Sequence, residues 1–124
     1  MLGLAVPALA LVAGACGQDG GATEGLSPAA ERGYELARTQ GCTSCHGASG
    51  GGGIGPAWTG ALGSTVTLTD GTQVVVDEAY LTRAIKDPNA EVVDGFSVSM
   101  PENHLTDDEI ADLVAYIVSL RDAG

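Results

Sequence analysis

Large aromatic side chains are scarce in this sequence: phenylalanine, tyrosine and tryptophan together make up 4% of 124 residues, while glycine occurs 19 times. A chain of this size with so few bulky side chains has difficulty filling a hydrophobic core by itself. Basic side chains are also few, with 5 lysines and arginines against 16 acidic residues and a net charge of -11. This balance excludes nucleic acid as a partner, because phosphate backbones require lysine and arginine.

Cysteine is limited to three residues, an odd number that excludes a closed disulfide framework. Charged residues make up only 17% of the chain and apolar residues 44%, which argues against disorder. The length bounds the chain to one ordinary domain. A metal or a cofactor is therefore expected to contribute to the core, and each cysteine needs a role of its own.

The first residues have the composition of an export signal. Residues 2–15, LGLAVPALALVAGA, carry no charge and are too few to span a bilayer as a helix, which takes about 20 residues. They have the length of a signal-peptide apolar region, so residues 1–15 are predicted to be a signal peptide. Cys16 directly follows a small-residue cleavage site and resembles the lipobox cysteine of bacterial lipoproteins. That resemblance implies an acylated Cys16 and a protein anchored at the periplasmic or outer face of the membrane; the alternative is ordinary cleavage with a free thiol.

Residues 16–26 are rich in glycine and polar residues and are predicted to be a flexible tether, leaving residues 27–124 as the folded domain. Ser27 and Pro28 form a helix start, and Gly41 ends this first helix. Residues 65–76 are predicted to form a β-hairpin around Asp70-Gly71 in a two-residue type I′ turn, which lies on the domain body. That loop length would place Leu68 beside Gln73 and Val66 beside Val75.

Two further helices are predicted from capping and periodicity. Asp77 caps a helix over residues 78–86, and Thr106 with Glu109 forms a capping box for the last helix. The faces expected to be buried are Leu81, Ala84 and Ile85 in the first of these, and Ile110, Leu113, Val114, Ile117 and Leu120 in the second.

The sequence C-T-S-C-H at Cys42, Cys45 and His46 has the spacing of a c-type haem attachment signal. Two thiols on one turn can form thioether bonds to one haem edge, and the adjacent imidazole then serves as proximal iron ligand. A thioredoxin-like redox pair would need a βαβ context, which the sequence lacks. A zinc site would need a second Cys/His pair, and a disulfide would leave His46 unexplained. The prediction is one covalent haem c.

Five segments resemble the class I monohaem cytochromes c, over about residues 27–121: GCTSCHG, GIGPAWTG, DEAYLTRAIKDPNA, SMP and LTDDEIADLVAYIVSL. The resemblance implies a mainly α fold, a small set of helices wrapped round one haem, with the hairpin as a short insertion. The closest likeness is to the cytochrome c domain fused to subunit II of bacterial haem-copper oxidases. Without the copper domain and transmembrane hairpin of that fusion, this chain looks like the same module made into a separate protein.

The resemblance also suggests the remaining site residues. Met100 and His104 are the candidate donors for the sixth iron position, and the family places its axial methionine in a segment like that of Met100. The carbonyl of Pro56 is implied as acceptor for the His46 imidazole N–H. Trp58 is expected to pack on the haem, to bind a propionate, or to be a plain core residue. Gly33 and Ala37 resemble the positions where the first helix crosses the last.

These expectations predict an electron carrier rather than an enzyme, with both axial iron positions filled. The predicted donor is a quinol-oxidising complex and the predicted acceptor a terminal oxidase, with the acidic, monomeric chain steered towards a basic docking patch. Two alternatives stay open: a haem enzyme or gas sensor with a labile sixth ligand, and a fixed electron-transfer subunit of a larger oxidoreductase.

Overall fold

The computed structural model describes residue 21 and residues 23–121. The predicted signal peptide, Cys16 and residues 122–124 lie outside the described residues. Within the described part, four helices and one two-stranded antiparallel sheet follow one another: α1 (Pro28–Thr39), α2 (Thr43–His46), β1 (Thr65–Thr67), β2 (Gln73–Val75), α3 (Glu78–Lys86) and α4 (Asp107–Ser119). Helices therefore hold most of the regular structure, as predicted. No helix in this part of the chain is both long and apolar enough to cross a membrane.

The three predicted helix starts are confirmed by capping bonds. In each, a side-chain oxygen of the residue before the helix accepts a hydrogen bond from a backbone N–H in the first turn, which has no partner inside the helix. The bonds are 3.2 Å from Ala30 N to Ser27 Oγ, 2.7 Å from Tyr80 N to Asp77 Oδ1, and 3.3 Å from Glu109 N to Thr106 Oγ1. The carboxylate of Glu109 returns a bond to the backbone N–H of Thr106, which completes the capping box.

α1 packs directly on α4. Ala30, Gly33 and Ala37 form the buried face of α1, and a side chain at Gly33 would overlap the backbone carbonyl of Asp112 and lie 2.9 Å from Tyr116 Cβ. The two backbones therefore approach more closely than any residue but glycine allows at this position. The crossing of the first and last helices at Gly33 and Ala37 is as the resemblance implied.

The buried faces of α3 and α4 differ slightly from the prediction. Ile110, Leu113, Val114 and Ile117 are buried as expected, but Leu120 is only half-buried because it is the C-cap. Each helix also buries a tyrosine that the aliphatic pattern did not include, and Ala84 is only half-buried. The tyrosines are Tyr116 in α4, 3% exposed, and Tyr80 in α3, 5% exposed.

The hairpin is present and packs on the core, but its predicted register is wrong by one residue. Val66 pairs with Val74, and Thr67 pairs with Gln73. The turn is a three-residue loop in which Gly71 alone adopts positive φ (85°), whereas a type I′ turn needs positive φ at two residues. The one-residue shift moves Val75 to the solvent face, where it is 57% exposed.

A segment after α3 extends this sheet on its other edge. Residues 92–94 lie beside β1, with bonds of 2.8 Å from Thr69 N to the carbonyl of Val92 and 2.9 Å from Asp94 N to the carbonyl of Thr67. Leu68 and Val93 form an isolated antiparallel bridge. The hairpin therefore anchors the start of the long loop that leads to Met100.

Candidate functional site

The C-T-S-C-H motif forms the short helix α2, directly after α1. Cys42 is its N-cap, and His46 N donates to the carbonyl of Cys42 at 3.1 Å, which closes the turn. Cys42 and Cys45 are both free, half-buried thiols. Burial raises the pKa of the Cys42 thiol. Because residues three apart lie on the same side of a helical turn, the two sulfurs are neighbours on one face.

A glycine-rich loop folds back over α2 and fixes the imidazole of His46. Gly55 N donates to the carbonyl of Cys45 at 2.9 Å, and the carbonyl oxygen of Pro56 lies 2.7 Å from His46 Nδ1. A carbonyl oxygen can only accept, so Nδ1 carries the proton and Nε2 keeps a free lone pair. Burial lowers the pKa of His46, against the opposing effect of the Pro56 bond, which favours the neutral ring that a metal requires.

Trp58 lies against the same imidazole. Its side chain is 8% exposed, and its ring stacks on that of His46 with centroids 4.6 Å apart and planes at 18°. The Trp58 ring also meets the ring of Tyr116 edge-on, at 6.1 Å and 86°. Trp58 is thus a core residue that touches the candidate iron ligand. The contacts expected for it with the haem face or a propionate stay predictions.

The absence of a side chain at two glycines leaves room for the His46 imidazole and for Trp58. A Cβ at Gly55 would lie 3.2 Å from Cε1 of His46, and a Cβ at Gly50 would lie 3.3 Å from Cβ of Trp58 and 2.7 Å from Leu120. The glycine-rich backbone therefore passes close to both rings.

Met100 and His104 lie in the loop between α3 and α4. Met100 is half-buried, while His104 is exposed just before the cap of α4, which confirms its expected solvent-facing position. None of the hydrogen bonds or ring contacts of the described residues joins Met100 to α2. Its assignment as the sixth ligand stays a prediction.

Sequence reasoning missed Asn103, which fastens this loop. Its side-chain amide donates to the carbonyl of Ile85 at 2.7 Å, and its Oδ1 accepts from Leu105 N at 3.2 Å. One side chain thus ties the end of α3 to the entrance of α4, three residues after Met100. An asparagine just before a capping box is a local signal for such a turn, but its partner on α3 is distant in sequence.

The residues of the site fit a covalently bound haem. They supply two free thiols on one turn, a neutral imidazole with one nitrogen available, and glycines that leave room beside that ring. Three apolar side chains are exposed in the two loops that hold the candidate ligands: Ile54 (55%) in the loop after the motif, and Phe96 (38%) and Val98 (57%) in the loop that leads to Met100. Among the described residues, no group of three or more Cys, His, Asp or Glu is arranged to hold a metal ion by itself.

A turn with two thiols followed by a carbonyl-oriented imidazole is the site of a protein that attaches haem covalently. The family model of cytochrome c matches residues 30–121, and the chain belongs to this family. Cytochromes c bind haem c, with its iron, covalently, so the predicted cofactor is confirmed; they are in general electron carriers. No curated protein matches the sequence.

Proposed function

We propose that this protein is an exported one-electron carrier in which a haem c is held by Cys42 and Cys45 and ligated by His46 and Met100. The observation that carries the proposal is the 2.7 Å bond between His46 Nδ1 and the Pro56 carbonyl, beside two free thiols. With the ring neutral, as its lowered pKa favours, this bond places the proton on Nδ1 and leaves Nε2 available to a metal, which is what a proximal histidine beside two haem-binding thiols requires.

Each side chain has a separate task in this proposal. The sulfurs of Cys42 and Cys45 would hold the haem through thioether bonds, and His46 Nε2 and Met100 Sδ would ligate its iron. A thioether ligand favours Fe(II) and would therefore raise the reduction potential. The haem would supply a one-electron Fe(II)/Fe(III) couple. Because two side chains would complete the coordination of the iron, a substrate could not bind there, so the proposed role is transfer of electrons and not bond-making.

The carrier acts on the periplasmic side of the membrane, held there by an acylated Cys16. Its electrons come from a quinol-oxidising complex and go to a terminal oxidase. Support for the oxidase comes from the likeness of the GIGPAWTG segment, the hairpin and the DEAYL helix to the cytochrome domain fused to oxidase subunit II. Mass spectrometry of the mature N-terminus tests the anchor: an unmodified Cys16 would contradict it.

Charge supports a docking mode for this carrier. The sequence has 16 acidic and 5 basic residues. Ion pairs with carboxylates hold Arg32, Arg38, Arg83 and Lys86. The remaining carboxylates give the surface a negative field, which steers the carrier towards a basic patch on its partner.

The absorption spectrum of the purified holoprotein in both redox states tests haem attachment and ligation together. A methionine-ligated ferric haem gives a weak far-red band, which we expect in the natural protein. Met100→Ala should lose that band and bind cyanide and CO rapidly. Glu102→Gln, an exposed change in the same loop, should keep it. A natural protein without the band that binds CO at once would contradict Met100 ligation and favour the haem-enzyme or gas-sensor alternative.

A further inference from the structure

The aromatic side chains of the core form a continuous column that ends on His46. The ring of Trp58 stacks on the imidazole at 4.6 Å, and the ring of Tyr116 meets Trp58 edge-on at 6.1 Å. Tyr34 meets Tyr116 edge-on in turn, at 5.4 Å and 70°. This column uses three of the few aromatic residues in the chain, and it runs from the α1–α4 contact to the candidate iron ligand.

Each aromatic residue of the column projects from a backbone segment that is fixed by hydrogen bonds or by a helix. Trp58 N and Thr59 N both donate to the carbonyl of Gly50, at 2.8 and 3.0 Å, which fixes the backbone from which the indole projects. Tyr116 lies in the C-terminal half of α4, and Tyr34 lies in α1, where the Arg38 guanidinium lies 5.5 Å from the centre of its ring. The position of the indole is therefore set by the packing of two helices and by a backbone anchor.

Two independent contacts thus restrict the imidazole. The Pro56 carbonyl holds one ring atom, Nδ1, but a single hydrogen bond leaves the ring plane free to rock about that point. The stacked indole restrains the plane itself, with an angle of 18° between the rings. Stacking of aromatic rings stabilises the geometry beyond the area that it buries, so the indole favours one orientation of the imidazole plane.

We propose that Trp58 is a positioning residue, which, together with the Pro56 carbonyl, fixes the plane of the His46 imidazole relative to the haem. This proposal rests on the proposed function, since it assumes that His46 ligates the iron. It assigns Trp58 a task different from contact with the haem face or with a propionate, because the indole acts through the ligand. Because Tyr34 and Tyr116 lie where α1 packs on α4, the contact between these two helices supports the indole of Trp58.

The plane of an axial imidazole is read directly from the four haem methyl resonances in the proton NMR spectrum of the ferric protein. The order and the spread of the four chemical shifts depend on the direction of the ligand plane. An imidazole that samples several directions averages these shifts and narrows their spread. We expect Trp58→Leu to narrow the spread of the haem methyl shifts or to change their order. Trp58→Phe keeps an aromatic face on the imidazole and should retain the natural order.

Tyr80→Leu is the matched control, because Tyr80 is a buried aromatic residue of α3, 5% exposed, outside the aromatic column. It should leave the methyl resonances unchanged even where it lowers stability. A Trp58→Leu protein with the natural order and spread would overturn the proposal. Trp58→Ile serves as a second aliphatic variant if the leucine variant holds no haem. If both aliphatic Trp58 variants lose haem while Tyr80→Leu retains it, Trp58 is needed only for packing. That result would also overturn the proposal.

Failure of the proposed function is separate from these outcomes. A natural protein that lacks a low-spin ferric haem would refute the ligation on which the inference rests, whatever Trp58 does. Normal ligation in every variant, with unchanged methyl resonances in Trp58→Leu, would leave the carrier function intact and remove the positioning role alone.

Discussion

Nδ1 of His46 lies 2.7 Å from the carbonyl oxygen of Pro56, ten residues further along the chain. The bond joins the last residue of α2 to the loop that follows it, and it decides which imidazole nitrogen is free. Hydrogen bonding of this kind makes an imidazole a stronger donor to a metal. A change in the strength of the hydrogen bond between His46 and Pro56 should therefore change the reduction potential of the holoprotein.

Pro56→Ala should raise the reduction potential. Replacing proline frees the local φ angle, so the carbonyl is held less firmly against Nδ1. A weaker bond makes His46 a weaker donor, which favours Fe(II) over Fe(III). We expect a rise of up to about 59 mV, the value of a tenfold change for one electron, measured by redox titration of the holoprotein. Pro88→Ala, at a buried proline after α3, is the control. A fall in potential, or equal shifts in both variants, would contradict the role of the bond.

Gly33→Ala should destabilise the protein strongly. The added methyl would overlap the carbonyl of Asp112 and force α1 and α4 apart. Overpacking of this kind costs about 1–3 kcal/mol, measured as the free energy of unfolding of the holoprotein in denaturant. Gly51→Ala is the matched control, because a Cβ there meets nothing within 4 Å. A Gly33→Ala protein as stable as Gly51→Ala would show that the two helices do not meet as described.

Asp112→Asn should lower stability at neutral pH but not in acid. Two hydrogen bonds of 2.8 Å from the Arg32 guanidinium hold the pKa of Asp112 below its usual range. A carboxylate with a lowered folded-state pKa adds stability above its unfolded-state pKa, and this stability is lost as the pH falls through the folded-state value. Melting temperatures over a pH series should therefore converge in acid. Glu102→Gln, an exposed change of the same charge, should track the natural protein. A constant difference at every pH would contradict the prediction.

The acidic surface should govern electron exchange with small charged reagents. A cationic ruthenium ammine complex should react faster at low salt, and its rate should fall as ionic strength rises, because the Debye length shortens from about 30 Å at 0.01 M to about 8 Å at 0.15 M. Ferricyanide, an anion, should show the opposite trend. Equal salt dependence for both reagents would show that the charge of -11 does not act at the site of electron transfer.

Features set by neighbouring residues were predictable from the sequence. The caps at Ser27, Asp77 and Thr106 depend on bonds that reach only three residues along the chain, so local chemistry decides them. The same holds for the thiols and imidazole of the C-T-S-C-H motif, whose spacing alone places them on one turn.

Features set by distant contacts were not predictable in the same way. Asp70-Gly71 is compatible with a two-residue or a three-residue loop, and the choice followed from burial of Leu68 and Val76, 6% and 3% exposed, and from pairing with residues 92–94. The stacking of Trp58 on His46 depends on the close packing at Gly50 and on Tyr116 in α4, which no local pattern connects.

Spectroelectrochemistry of the purified holoprotein, with and without CO, tests the carrier function most directly. We expect a fully reversible one-electron couple, with about 59 mV for each tenfold change in the ratio of oxidised to reduced protein. We also expect CO to leave the ferrous spectrum unchanged, because the proposed ligands His46 and Met100 would fill both axial positions of the iron. A couple that is irreversible, or a ferrous spectrum that CO shifts at once, would contradict the proposed carrier function.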